Sequence, residues 1–108
     1  MARYFVTGAQ GCIGAWVVKN LMDRGQDVFV FDLDLEPKRL GLLLNTQGLS
    51  RVQFIRGDVC DSEQINTEVQ RQNIDYIIHL AGLQVPTCRA NPRLGAMVNV
   101  VGTINVFE

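Results

Sequence analysis

Val6-Thr7-Gly8-Ala9-Gln10-Gly11-Cys12-Ile13-Gly14 is the stretch on which the fold turns. It follows the apolar run Tyr4-Phe5-Val6. It leads into Ala15-Trp16-Val17-Val18-Lys19-Asn20-Leu21-Met22, where apolar residues recur at helical spacing. The order is strand, glycine turn, helix. Gly8 allows a sharp turn without strain. Gly11 lets the backbone approach a ligand, and Gly14 lets the helix pack closely on the strand. A helix starting here presents free amide N–H groups and the positive end of its dipole, which suits a pyrophosphate. Glycines at this spacing between a strand and a helix form a dinucleotide-binding fingerprint.

Outward from the turn, the chain alternates strands and helices. Arg3 to Thr7 reads as a strand and Ile13 to Arg24 as a helix that Gly25 caps. Val28-Phe29-Val30-Phe31 is a second strand ending at Asp32. Both strands are apolar on two faces, the mark of a parallel sheet covered by helices. Glu36 to Asn45 reads as a short helix with Pro37 in its first turn, weakened by Gly41. Val52 to Ile55 is a third strand. Asp61-Ser62-Glu63-Gln64 has the form of a capping box and opens a helix to about Gln72. Ile74 to His79 is a fourth strand, and Gln84 to Ala90 reads as a loop. Asn91-Pro92 starts a last helix, uncharged from Gly95 to Phe107, whose apolar residues point all ways round. Such a helix expects cover on more than one face. The pattern predicts an α/β chain: a partial Rossmann fold with a four-stranded parallel sheet in the order 3-2-1-4 and helices on both faces.

Composition bounds the function. A chain of 108 residues, 47% apolar and 19% charged, is one domain with enough material for a core. The net charge is −1, with no basic face for nucleic acid. No apolar run is long enough to span a membrane. Met1-Ala2-Arg3-Tyr4 enters a strand at once, leaving no room for a signal peptide. Cys12, Cys60 and Cys88 are odd in number and widely spaced, which suits a reduced, cytoplasmic setting. His79 is the one histidine, and no metal-ligand spacing is present.

Asp32 stands about 20 residues beyond the glycine turn, where a carboxylate accepts hydrogen bonds from an adenosine ribose. It would repel a ribose phosphate, which favours NAD over NADP. The plainer alternative is a capping or solvated aspartate. Lys38 and Arg39 could reach a phosphate or lie on a solvated helix face.

These residues resemble a known family. Thr7-Gly8-Ala9-Gln10-Gly11-Cys12-Ile13-Gly14 is similar to the TGxxGxxG signature of extended short-chain dehydrogenase/reductases, the NAD-dependent epimerase/dehydratase group. Gly57-Asp58-Val59-Cys60-Asp61 resembles its GD(V/L)xD segment and His79-Leu80-Ala81-Gly82 its HLA(A/G) segment. Asn99-Val100-Val101-Gly102-Thr103-Ile104-Asn105-Val106-Phe107-Glu108 resembles its NVxGTxNxxE helix. The resemblance implies that Gly8, Gly11, Cys12, Ile13 and Gly14 contact the pyrophosphate and Asp32 the adenosine ribose. Asp58 and Val59 would border the adenine. Leu80, Ala81 and Gly82 would floor the nicotinamide-side ribose. Asn99 would face the active site from the last helix. Each has a plainer reading: Asp58 shapes a turn, Ala81 and Gly82 are small for packing, Cys12 is a filler, and His79 is a packed core histidine.

The family's catalytic Tyr-x-x-x-Lys pair is missing. Tyr4 and Tyr76 are followed four residues on by Gly8 and Leu80, and Lys19 and Lys38 are preceded by Ala15 and Asp34. The resemblance therefore implies that residues 1–108 are the N-terminal half of an NAD-binding domain, inactive alone. Its parent would act by hydride transfer, with a nucleotide sugar as the substrate the family suggests. The alternative is a non-catalytic dinucleotide-binding or regulatory module. A homo-oligomer through the last helix is also implied, since that helix helps form a dimer interface in the family.

Overall fold

The computed structural model describes residues 2–33 and 39–108. Strands β1 (Arg3–Thr7), β2 (Asp27–Asp32), β3 (Gln53–Arg56) and β4 (Tyr76–His79) form one parallel sheet in the order β3-β2-β1-β4, as the alternation predicts. The strands read as continuous apolar runs because both sheet faces are covered. Val6, Val28 and Val30 point to one face, where helix α1 (Cys12–Asp23) supplies Ala15, Val18 and Met22 and helix α2 (Leu40–Leu43) supplies Leu40. Phe5, Phe29 and Phe31 point to the other, where they meet Val59 from the turn after β3 and Ile65 of helix α4 (Ser62–Arg71). The register sets Phe5 beside Phe29 and Val6 beside Val30, so each face receives one kind of side chain. Burying an aliphatic or aromatic side chain contributes about 1.5–3 kcal/mol.

The helix ends are legible in chemical terms. Gly25, at φ +74°, donates its N–H to Met22, while Gln26 donates to Leu21, a Schellman closure of α1. Asn73, at φ 52°, closes α4 in the same way, with Ile74 donating to Val69. Asp61 caps α4 by accepting the Gln64 N–H at 3.1 Å. The return half of the expected capping box is absent. Gln64 instead donates to the Arg56 carbonyl at 2.7 Å and accepts from the Asp58 N–H at 3.4 Å, clasping the turn after β3.

Three expectations need correction or restriction. The helix expected over Glu36 to Asn45 begins among residues outside the described set, Pro37 and Lys38 included. Its described part is broken at Leu44, which is extended, and Asn45 caps a new helix, α3 (Thr46–Ser50), by accepting the Gly48 N–H at 2.7 Å. The loop expected from Gln84 to Ala90 is instead helix α5 (Val85–Ala90), with Pro86 in its first turn, where a missing N–H costs nothing. The last helix starts as expected, with Asn91 capping α6 (Pro92–Ala96). It then passes through a π-helical turn, Met97–Val101, before α7 (Gly102–Phe107).

That composite helix is covered on one face. Val98 and Val106 pack onto the phenylalanine cluster. Leu94, Met97, Val100, Ile104 and Phe107 form an exposed apolar stripe, with Val100 57% and Phe107 82% exposed. No described helix is long and apolar enough to cross a membrane.

Candidate functional site

The carboxyl ends of all four strands open onto one crevice. β1 ends in the glycine turn. Gly8 has φ +69°, and a Cβ there would lie 2.6 Å from the Ala81 nitrogen. Its own N–H reaches across to the Phe31 carbonyl at 3.3 Å. A Cβ on Gly14 would drive into the Gly8 carbonyl and the Ala9 backbone, so α1 can lie this close to β1 only with glycine there. Gly11 differs. A Cβ there would meet only the Gly8 oxygen, at an ordinary 3.4 Å. Protein packing does not ask for a glycine at that position.

Gly11 starts α1 with no side-chain cap. Its N–H turns back to Gly8 at 3.1 Å. Among the described residues, nothing accepts the N–H groups of Cys12, Ile13 and Gly14. These are the orphan donors that any helix start leaves, and they carry the positive end of its dipole.

Asp32 ends β2 beside this turn. Its Oδ2 accepts the Gln10 N–H at 3.2 Å and its Oδ1 the Leu33 N–H at 2.8 Å. Each carboxylate oxygen keeps a further acceptor site. Arg39 donates to the Gln10 carbonyl at 3.3 Å, which brings its guanidinium to the turn rather than to a bare helix face. The side-chain amide of Gln10 is buried, and no described residue partners it.

Two cavities meet here. One of about 390 Å³ is lined by Gly8, Gly11, Cys12, Ile13, Gly14, Asp32, Leu80, Gly82 and Gln84. The other, of about 130 Å³, is lined by Phe31, Asp32, Leu33, Gly57, Asp58, Val59, Ala81, Gly82, Leu83 and Val98. They share Asp32 and Gly82. The larger is by itself on the scale of small-molecule sites, roughly 300–1,000 Å³, and the smaller extends it.

Asn99 lines neither cavity. At the centre of the π turn, its Oδ1 accepts the Leu83 N–H at 2.7 Å and its Nδ2 donates to the Leu83 carbonyl at 3.0 Å. The amide clamps the segment after β4, which forms one wall of the crevice. Asp58 also works on its own chain: Oδ1 accepts the Cys60 N–H at 2.9 Å, shaping the turn. Burial, and then the hydrogen bond and charge of Asp58, push the Cys60 thiol above its ordinary pKa. The shift favours the thiol over the thiolate. Asn105 donates to the Val59 carbonyl at 2.8 Å. Gly102 lets α7 close on Val59, where a Cβ would come within 2.6 Å of Cγ2.

Beneath the crevice, Thr7 is fully buried. Its Oγ1 accepts the N–H groups of Leu80 and Ala81 at 3.1 and 3.2 Å, and lies 2.6 Å from His79 Nδ1. The other ring nitrogen, Nε2, lies 3.0 Å from Thr103 Oγ1. Burial pushes the His79 pKa below its ordinary value. With both ring nitrogens engaged beneath the floor, His79 is a packed histidine, as its apolar strand predicts.

A family model described as GDP-mannose 4,6 dehydratase matches residues 5–108. The chain belongs to this family, within the extended short-chain dehydrogenase/reductases. It is 37% identical over 108 residues to human 3 beta-hydroxysteroid dehydrogenase type 7, covering 97% of this chain and 28% of that protein. It is 35% identical over 79 residues to a probable dTDP-glucose 4,6-dehydratase of Sinorhizobium fredii, covering 73% of this chain and 23% of that one. Among solved structures it resembles Thermus thermophilus UDP-glucose 4-epimerase in complex with NAD. There the TM-score is 0.79 at 30% identity, over 96% of this chain and 32% of that one. The chain thus spans about a quarter to a third of the length of these relatives.

Thr7, Thr103 and Leu83 take part in shaping the crevice without having been assigned roles from sequence. A signal for one of them was present. Thr7 is polar at the end of an apolar strand, as is His79, and parallel pairing sets them side by side.

Proposed function

We propose that this chain is the NAD-binding portion of an NAD-dependent epimerase or dehydratase. The observation that carries the reading is Gly11. It stands at the start of α1, next to three amides that no described residue accepts and the Asp32 carboxylate, and no packing among the described residues requires it. A ligand that must lie against the backbone supplies the missing reason. On this reading, Cys12, Ile13 and Gly14 donate to the pyrophosphate. Asp32 accepts from the adenosine ribose and disfavours a phosphate there. Asp58 and Val59 border the adenine in the smaller cavity. Leu80, Ala81 and Gly82 form the floor on the nicotinamide side. Asn99 holds that floor's outer segment through Leu83. The bound nicotinamide would supply hydride transfer.

The chain's own part is to bind and orient. It has no Tyr-x-x-x-Lys pair, so the acid–base step belongs to the rest of a longer parent. Relatives named for nucleotide sugars and for a hydroxysteroid share this portion, which fits a common cofactor half with the substrate chosen elsewhere. A nucleotide sugar is the substrate proposed for the parent. Calorimetric titration of the 108-residue chain with NAD should give saturable binding, with no turnover of UDP-glucose or dTDP-glucose. Turnover by this chain alone would overturn the division of labour.

A second reading concerns partners. The stripe from Leu94 to Phe107 is a continuous apolar surface of the kind that soluble monomers seldom expose. We propose that this face self-associates when nothing else covers it.

A further inference from the structure

We propose that His79 is a positioning residue, a neutral imidazole strut that ties the crevice floor at Leu80–Ala81 to helix α7 through Thr7 and Thr103. The role rests on the reading of that crevice as the dinucleotide site.

Proton counting fixes the arrangement. A threonine hydroxyl has one proton and two acceptor positions. Thr7 Oγ1 fills both acceptor positions with the Leu80 and Ala81 amides. Its proton must therefore go to His79 Nδ1, 2.6 Å away, and Nδ1 carries no hydrogen. At the far end, Thr103 Oγ1 donates to the Asn99 carbonyl at 2.7 Å. It is left to accept, so the ring proton sits on Nε2, 3.0 Å away. The Leu80 N–H is shared between Thr7 Oγ1 and the Thr7 carbonyl, 3.1 Å from each, and only the Nε2–H tautomer satisfies every contact together.

A second proton on Nδ1 would set two donors against each other. Thr7 would have to turn its hydroxyl and release a floor amide. No charge offsets this. Burial alone acts on the ring's titration. Arg3 and Tyr4 on β1 and Tyr76 on β4 are the other ionisable groups of the strands packed here, and α7 has none. The full set of floor bonds is thus made only while His79 is neutral, Leu80 otherwise keeping its bond to the Thr7 carbonyl, and Thr103 on α7 selects the tautomer.

Two measurements test the strut. Two-bond ¹H–¹⁵N spectra of the labelled chain should show His79 as the neutral Nε2–H tautomer at pH 7. An Nδ1–H tautomer or an imidazolium would overturn the proposal. Titration with NAD at pH 8 should show Thr103→Val binding about fivefold more weakly than the parent, the worth of one net hydrogen bond. Thr103→Ser should restore binding, and both should keep the parent's melting temperature within a few degrees. Parent-like affinity in Thr103→Val would overturn the positioning role. If the parent chain itself fails to bind NAD at pH 8, the crevice reading falls and the role built on it falls too. The spectra would still decide the tautomer independently.

Discussion

Gly8, Gly11 and Gly14 look alike in the sequence and do different work. Gly14→Ala would push a methyl group into the Gly8 carbonyl and the Ala9 backbone, neither of which can yield like a side chain. Overpacking of this kind costs about 1–3 kcal/mol, which a thermal melt would register as a clear fall. Gly11→Ala meets no such obstacle. It should leave the melt unchanged while weakening NAD about tenfold or more, because Gly11 lines the cavity. Asp32→Asn keeps the shape but removes the charge. It should narrow the preference for NAD over NADP, measured by parallel titrations. Asp32 was readable from its place at the end of a strand. Arg39 was not: its contact with the Gln10 carbonyl comes from the path of the chain through space, which neighbouring residues do not encode.

Secondary elements show where local pattern suffices and where it fails. The strands were legible because Val and Phe alternate onto two covered faces. Asp61 and Gly25 act as the helix stops and starts their residue types suggest. The expected loop after β4 concealed α5, since Pro86 reads equally as a turn residue and as a first-turn helix residue. The π turn left no local signature. At its centre Asn99 reaches Leu83 across the fold, a contact visible only once β4 and the last helix are side by side. Asn99→Ala should loosen that wall, leaving the Leu83 N–H without a partner and its carbonyl with the Cys88 thiol alone. It should raise hydrogen exchange at Leu83 and Gln84 with little change in β1.

The whole molecule responds to pH through His79. The folded state lowers its pKa, while the unfolded chain returns it to about 6.5. The unfolded state therefore binds the proton more readily in the window between the two values. Stability from this group is fully present above pH ~6.5 and lost as pH falls through the folded value. Melts from pH 8 downward should fall across that window, and the His79→Gln variant should lack the fall. The exposed stripe on the last helix also acts at this scale. Sedimentation should show concentration-dependent association that Ile104→Glu abolishes.

The central claim is that the start of α1 and the end of β2 together hold a dinucleotide. Calorimetric titration of NAD into the parent chain and into Gly11→Val tests it most directly. The unsubstituted chain should bind NAD saturably, one to one, and the variant should lose that binding with its melting temperature unchanged. A parent that gives no saturable heat, or a variant that binds as tightly as the parent, would contradict it.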